Sequence, residues 1–371
     1  MGAITTEAAG PMSPTPSPAA KTLLMSLSEF MLRAKSVAAR LLMKSRRFLR
    51  HPTSEAIIHK YRQLRHLVDQ ATSILPPSSI PPTPVANTPP IEASKRQRTV
   101  MRKLSHSKQR LLDQFSRELD KVETRAPMKG GYARIDPYII DRWEGGRNFE
   151  FICYHVESRN WFDSELSDQG MLLMHRHKYV REGDVVFDIG SNSGYMSVWY
   201  GLMVGSTGKV LAFDPYPWNA LATNFNARLN YLDNVKGYEV GLSDSSFELA
   251  LPLDAARTID GFSTNSIRAR VADVREYAYE KPTFLKIDIE GGEYELSRAD
   301  LQALPHVDRI FLELHPFFIE DRGLETKAVL RNYARQGFEL HYAHPLHKAV
   351  DVETHPAAPG MWFMERSRPG G

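Results

Sequence analysis

Beyond about residue 128 the apolar positions fall into short runs separated by helical patterns. Residues 149–156 (FEFICYHV) read as the first convincing strand. Apolar runs follow at 184–189, 209–213, 235–242, 284–289 and 309–314. Residues 195–203 and 218–232 repeat their apolar positions at helical spacing. Strands alternating with helices need crossover connections, which predicts a doubly wound, mostly parallel α/β sheet covered on both faces. Residues 338–343 and 361–365 read as two antiparallel edge strands.

The region before residue 128 has a different texture. Residues 1–20 combine Pro, Ser, Thr and Ala with few large side chains and are expected to be disordered. In 21–74 apolar residues such as Leu23, Leu27 and Met31 recur at helical spacing among Arg33, Lys35, Arg40 and Arg47, a basic helical segment. Seven prolines between Pro76 and Pro90 block both helix and sheet and mark 75–94 as an extended linker. Residues 95–127 form a second basic helix, with Leu104, Leu111, Leu112, Phe115 and Leu119 on its apolar positions. The globular domain is thus expected over 128–366, and removal of residues 1–127 is expected to leave its ligand binding intact.

Charge sharpens that division. Up to residue 130 there are 22 Lys and Arg against 9 Asp and Glu, and after it 25 against 35. A basic arm precedes an acidic domain. The arm suits an anionic membrane surface or an acidic partner, or simply packs on its own protein. Cys153 is the single cysteine, which excludes an intramolecular disulfide framework and a Cys-rich zinc module. No segment has the unbroken apolar length of a spanning helix. The expected location is cytoplasmic, with the arm able to make the protein peripheral at a membrane.

The sharpest chemical signal is VVFDIGSNSGYMS, residues 185–197. A buried strand carrying Asp188 turns through Gly190, Ser191, Asn192 and Gly194 into a helix. Small residues admit a ligand close to the backbone, and amides at the helix start attract electronegative groups. The spacing departs from G-x-G-x-x-G and lacks the Gly-Lys-Ser/Thr of a phosphate loop. On its own it also fits an ordinary strand-to-helix turn. Asp214, 26 residues beyond Asp188, ends the next strand in KVLAFDP, where an acid can accept both hydroxyl hydrogens of a ribose or merely form a turn before Pro215. The third strand runs into GLSD, placing Ser243 or Asp244 near a purine.

The fourth strand supplies FLKIDIEGGEYEL, residues 284–296, with Asp288, Glu290 and Glu293. RIFLELHP follows, with Glu313 and His315 at the tip of the fifth. Crowded carboxylates shift one another's pKa values, and a strand-end His is a base near neutral pH. Capping, or pairing with Lys286 or Arg309, is the structural alternative for Glu293 and Glu313.

Together the D-I-G-S-N-S-G turn, A-F-D-P, G-L-S-D, and F-L-K-I-D-I-E-G-G-E-Y-E-L followed by F-L-E-L-H-P resemble the FkbM family of S-adenosylmethionine-dependent methyltransferases over about residues 150–340. The resemblance implies a class I methyltransferase fold, Rossmann-like, with a seven-stranded sheet whose last strand enters antiparallel. It implies an O-methyltransferase acting on hydroxyls of sugars, glycans or polyketide-like molecules. Asp188, Gly190, Ser191, Asn192 and Gly194 would form the methionine and ribose end of the S-adenosylmethionine site. Asp214 would bind the ribose and Asp244 the adenine, while Asp288, Glu290 and His315 would serve the transfer. Ser191 stands where the family usually has Ala, and Asp214 where it more often has Glu.

The acceptor is expected to be a small-molecule or glycan hydroxyl. The acidic domain, and D-I-E-G in place of an N-P-P-Y type motif, argue against nucleic acid. A metal on Asp288 and Glu290 is not expected, because no third ligand can be assigned. The acceptor pocket should draw on the segment before the first core strand, including Trp161, Phe162 and His175. The competing reading is a catalytically inactive methyltransferase fold that binds partners through its basic arm.

Overall fold

In the computed structural model the described residues are 104–163, 168–253 and 266–366; the expected segments 1–20, 21–74 and 75–94, with the start of the 95–127 helix, lie outside them. Seven strands form the central sheet: β3 (Val185–Ile189), β4 (Lys209–Asp214), β5 (Val235–Glu239), β9 (Phe284–Ile287), β10 (Arg309–Leu314), β11 (Glu339–Tyr342) and β12 (Gly360–Glu365). Their spatial order is β11-β12-β10-β9-β3-β4-β5. β5, β4, β3, β9 and β10 are parallel, and β12 runs antiparallel to both its neighbours. This is the class I methyltransferase sheet that the motifs implied.

Both faces of the sheet are covered. Phe187, Ile189, Leu211, Phe213, Leu285 and Ile287 pack into one buried layer. Val186, Val210, Phe284 and Phe311 pack into the other, with Tyr195, Val198 and Trp199 of α4 (Tyr195–Val204).

Two strand assignments are corrected. β12 is not an edge strand: it lies between β10 and β11, and Trp362, Phe363 and Met364 are fully buried. Three consecutive large apolar residues cannot stand at a solvated edge without exposing at least one of them. The run 235–242 is two strands. β5 ends at Glu239, the Val240 amide donates to the Asp214 carbonyl at 3.1 Å, and β6 (Gly241–Ser243) leaves for a second sheet. There β6 pairs with β8 (Ser266–Asp273), which also carries β7 (Phe247–Pro252).

Two elements precede the first strand of the central sheet. β1 (Arg134–Glu144) and β2 (Arg147–His155) form an antiparallel hairpin closed by Gly145 and Gly146. α1 (His106–Arg125) starts at a Ser105 cap and buries Leu112, Phe115, Leu119 and Val122, a stripe at helical spacing. Phe115 meets Tyr154 of β2 and Phe225 of α5 (Pro217–Leu229) edge-on, both at 5.2 Å. Arg125 grips Glu239 through two hydrogen bonds of 3.0 and 2.8 Å. The folded core therefore reaches upstream of residue 128, within a unit that spans Arg98–Gly371. Among the described residues no helix is long and apolar enough to cross a membrane.

Candidate functional site

The glycine turn joins β3 to α4 under tight constraint. Gly190 has φ +79°, and a Cβ there would lie 1.8 Å from the Asp288 carbonyl oxygen. Only glycine allows β3 and the exit of β9 to approach so closely. The Gly190 and Ser191 amides both donate to the Phe213 carbonyl, at 2.9 and 3.1 Å, which fastens the turn to β4. Asn192 has φ +48°, a left-handed conformation that Asn tolerates better than most residues. Its side-chain oxygen accepts from the Ser193 amide at 2.6 Å and hydroxyl at 2.9 Å. Gly194, φ +81°, caps α4.

Asp188 lies beneath this turn rather than on it. It is fully buried, accepts from the Ser197 hydroxyl at 2.5 Å and stands 3.1 Å from Lys286 Nζ. Lys286 also donates to the Gly190 carbonyl at 2.7 Å and lies 3.5 Å from Asp288. Burial works against the lysine's charge, but the Asp188 and Asp288 carboxylates outweigh it and hold its pKa above the ordinary value. Asp188 thus shapes the turn through a buried ion pair.

Asp214 is placed for contact. Its carboxylate accepts from the Asn192 amide at 2.9 Å, the Tyr216 amide at 3.0 Å and Asn219 Nδ2 at 3.0 Å. Burial pushes its pKa up to about 7, even against these three donors. Asp244 is held elsewhere, 3.2 Å from Arg298, and at this strand end Gly241, Leu242 and Ser243 line the cavity instead.

The cavity, about 640 Å³, opens at the carboxyl ends of the parallel strands, the position where open α/β sheets take ligands. Gly190, Asn192, Asp214, Asp288, Glu290 and Arg322 supply its polar surface. Leu242, Phe247, Leu249, Leu251 and Val271 make an apolar wall, and Tyr132, Trp161 and Tyr216 contribute aromatic rings. Trp161 is half-exposed and lies where expected. Phe162 instead stacks on Tyr195 at 4.5 Å inside the core, and His175 crowds Gly146.

Sequence reasoning missed the β7 wall and Arg322. The alternation Phe247, Leu249, Leu251 was a readable strand signal. Nothing local marks Arg322, which reaches the site by hydrogen-bonding the Gly291 carbonyl at 3.0 Å and pairing with Glu295.

At the tips of β9 and β10 the acids converge. His315 Nε2 is 3.8 Å from Asp288 Oδ1, and Nδ1 is 2.7 Å from Glu293 Oε1. Glu293 is fully buried and accepts from the Gly291 amide at 2.7 Å and the Ile289 amide at 3.4 Å. One ligand atom each from Asp288, Glu290 and His315 lies within 4.8 Å of the others. Burial opposes a charge on His315, but Glu293, Asp288 and Glu290 prevail and push its pKa up to about 10. These carboxylates favour the protonated imidazole more than in an ordinary histidine. The Asp288 charge, with burial, raises Glu313 to about 7. Glu313 nonetheless keeps access to solvent.

Residues 188–340 match the methyltransferase FkbM domain, the S-adenosylmethionine-dependent family that the motifs resemble. Over 145 residues the chain is 27% identical to the hexuronic acid methyltransferase AglP of Haloferax volcanii, an alignment covering 36% of this chain and 57% of that protein. The chain thus spans little more than half the length of this curated relative. Similar solved structures include an S-adenosylmethionine-dependent O-methyltransferase from Thermotoga maritima, with 16% identity, TM-score 0.31, and 62% of this chain and 78% of that one covered. Another is an S-adenosylmethionine-dependent methyltransferase from Aquifex aeolicus, with 16% identity, TM-score 0.29, and 56% and 90% covered.

Proposed function

We propose that the FkbM methyltransferase domain of this chain binds S-adenosylmethionine across the tips of β3, β4 and β6 and methylates a hydroxyl of a sugar, glycan or polyketide-like acceptor. The observation that carries this reading is Asp214. Its carboxylate is anchored by the glycine turn's own amide and borders a cavity that Asp288 and Glu290 also line. One carboxylate facing two vicinal hydroxyls is the chemistry of ribose recognition.

The remaining groups fit the same donor. Gly190 and Asn192 line the cavity, and Ser191 and Gly194 keep the turn around them small. Leu242, Leu249 and Leu251 offer a flat apolar bed for adenine, with Ser243 beside it. Asp244 joins the base only if its Arg298 pair opens.

The bound donor supplies an already activated methyl carbon. The chain's task is to align the acceptor oxygen with it, exclude water and take up one proton. The candidates for taking that proton are Asp288, Glu290 and His315, which gather on one side of the site. The relative's acceptor is a hexuronic acid, which makes uronic acids and their glycosides the first acceptors to screen. The exposed face of Trp161 in the cavity suits the apolar face of a sugar ring.

Calorimetric titration of S-adenosylmethionine and its demethylated product into the wild type and Asp214→Ala tests the reading. Micromolar binding that falls at least tenfold in the variant supports it. Absence of heat from a folded wild type overturns it.

A further inference from the structure

We infer that Asp288, Glu290 and His315 form a divalent-cation site on the acceptor side of the cavity. Its ligand atoms come from two places that are distant in sequence, the turn leaving β9 and the residue following β10, and lie within 4.8 Å of one another. Three ligands with bonds of about 2.1 Å to one first-row cation stand roughly 3 to 3.6 Å apart, so the three need draw in by about 1 Å, within the reach of side-chain torsions.

The orientation of His315 is the independent observation. Glu293 is not one of the three, is fully buried and is anchored by two backbone amides. It engages Nδ1 at 2.7 Å, which turns Nε2 towards Asp288. A carboxylate behind the histidine, fixing its tautomer and aiming its other nitrogen, is the arrangement found behind metal-binding imidazoles. A merely structural histidine does not need its second ring nitrogen directed at two carboxylates beside a ligand cavity, and a cation bound there would displace the Nε2 proton. Lys286, the nearest competing cation, lies 3.5 Å from the second Asp288 oxygen and is engaged by Asp188 and the Gly190 carbonyl.

Two carboxylates and one imidazole fit Mn²⁺ or a similar borderline ion better than Ca²⁺, which prefers oxygen alone. Three protein ligands leave positions open for two oxygens of an acceptor, such as a vicinal diol or a hydroxyl beside a carboxylate. A cation there would orient the acceptor and lower the pKa of its hydroxyl. That role rests on the methyltransferase reading; the cation site itself does not.

The experiment uses the full chain, treated with chelator and dialysed, and Mn²⁺ alone as probe, with free Mn²⁺ followed by electron paramagnetic resonance. The expected result is one saturable Mn²⁺ per chain, weakened at least tenfold by Asp288→Asn and by Glu290→Gln. Glu293→Gln should weaken it by about tenfold to a hundredfold. Circular dichroism melts establish that each variant is folded. No saturable binding to the wild type overturns the site, as does binding unchanged in both the Asp288 and Glu290 variants. S-Adenosylmethionine binding without Mn²⁺ binding removes this inference alone, and Mn²⁺ binding without donor binding removes only the methyltransferase reading.

Discussion

At Gly190 and Asp214 single residues carry the site, and each makes a separate prediction. Gly190→Ala adds a methyl group 1.8 Å from a backbone oxygen at a φ that L-residues avoid. The expected outcome is loss of donor binding by calorimetry and a stability decrease of about 1–3 kcal/mol or more by denaturant titration. Asp214 sets a pH dependence. Its folded pKa, about 7, is above the ordinary 3.8, so the folded chain binds that proton more tightly than the unfolded one. This group's contribution to stability is therefore present in acid and is lost as pH rises from about 4 through 7. Asp214→Asn removes the titration. Melting temperatures of the donor-free proteins should show wild type losing ground to the variant over that interval, with no further divergence above it. A constant offset would mean that the carboxyl titrates normally. These roles were partly legible, because a D-x-G-x-x-x-G turn and an acid at the next strand tip are local patterns. The burial of Asp188 was not, since Lys286 and Ser197 reach it from other elements.

Among the elements, α1 shows how far local pattern reaches. Its apolar stripe was readable, but its charged solvent face concealed that the other face belongs to the folded core. Phe115 is fully buried between Tyr154 and Phe225. Phe115→Ala should cost about 3–5 kcal/mol in chemical denaturation, as expected for a large core side chain. The same packing revises the expectation for truncation. A chain starting at Arg98 should retain a cooperative melt. One starting at residue 128 should lose it, because Tyr154, Trp218 and Phe225 would be uncovered. β12 teaches a related lesson: its apolar run announced a strand, and only the covering of both faces placed it inside the sheet.

At the scale of the whole molecule, the two ends of the parallel strands do different work. At the amino ends Arg309 is 1% exposed and holds Asp184 through bonds of 2.9 and 2.7 Å, tying β10 to the segment that enters β3. Asp184→Ala leaves a buried guanidinium with one fewer partner and should destabilise the fold by about 3–5 kcal/mol in chemical denaturation. Donor affinity, measured calorimetrically where the variant is still folded, should change little. The carboxyl ends instead gather Asp214, Asp288 and Glu290 around one cavity, with His315 beside the last two, and there mutations should alter binding more than folding.

The sequence by itself determined the alternation of strands and helices, the glycine turn and the acids at the strand tips. Each depends on neighbours along the chain: periodicity, small side chains at a turn, a carboxylate ending an apolar run. Only the tertiary structure decided that Asp188 is buried under the turn, that Asp244 pairs with Arg298, and that β7 and Arg322 help build the cavity. It alone decided that His315 faces two carboxylates with Glu293 behind it. Charge state and ligand geometry depend on distances between groups far apart in sequence, and those distances exist only once the sheet has brought β9 and β10 side by side.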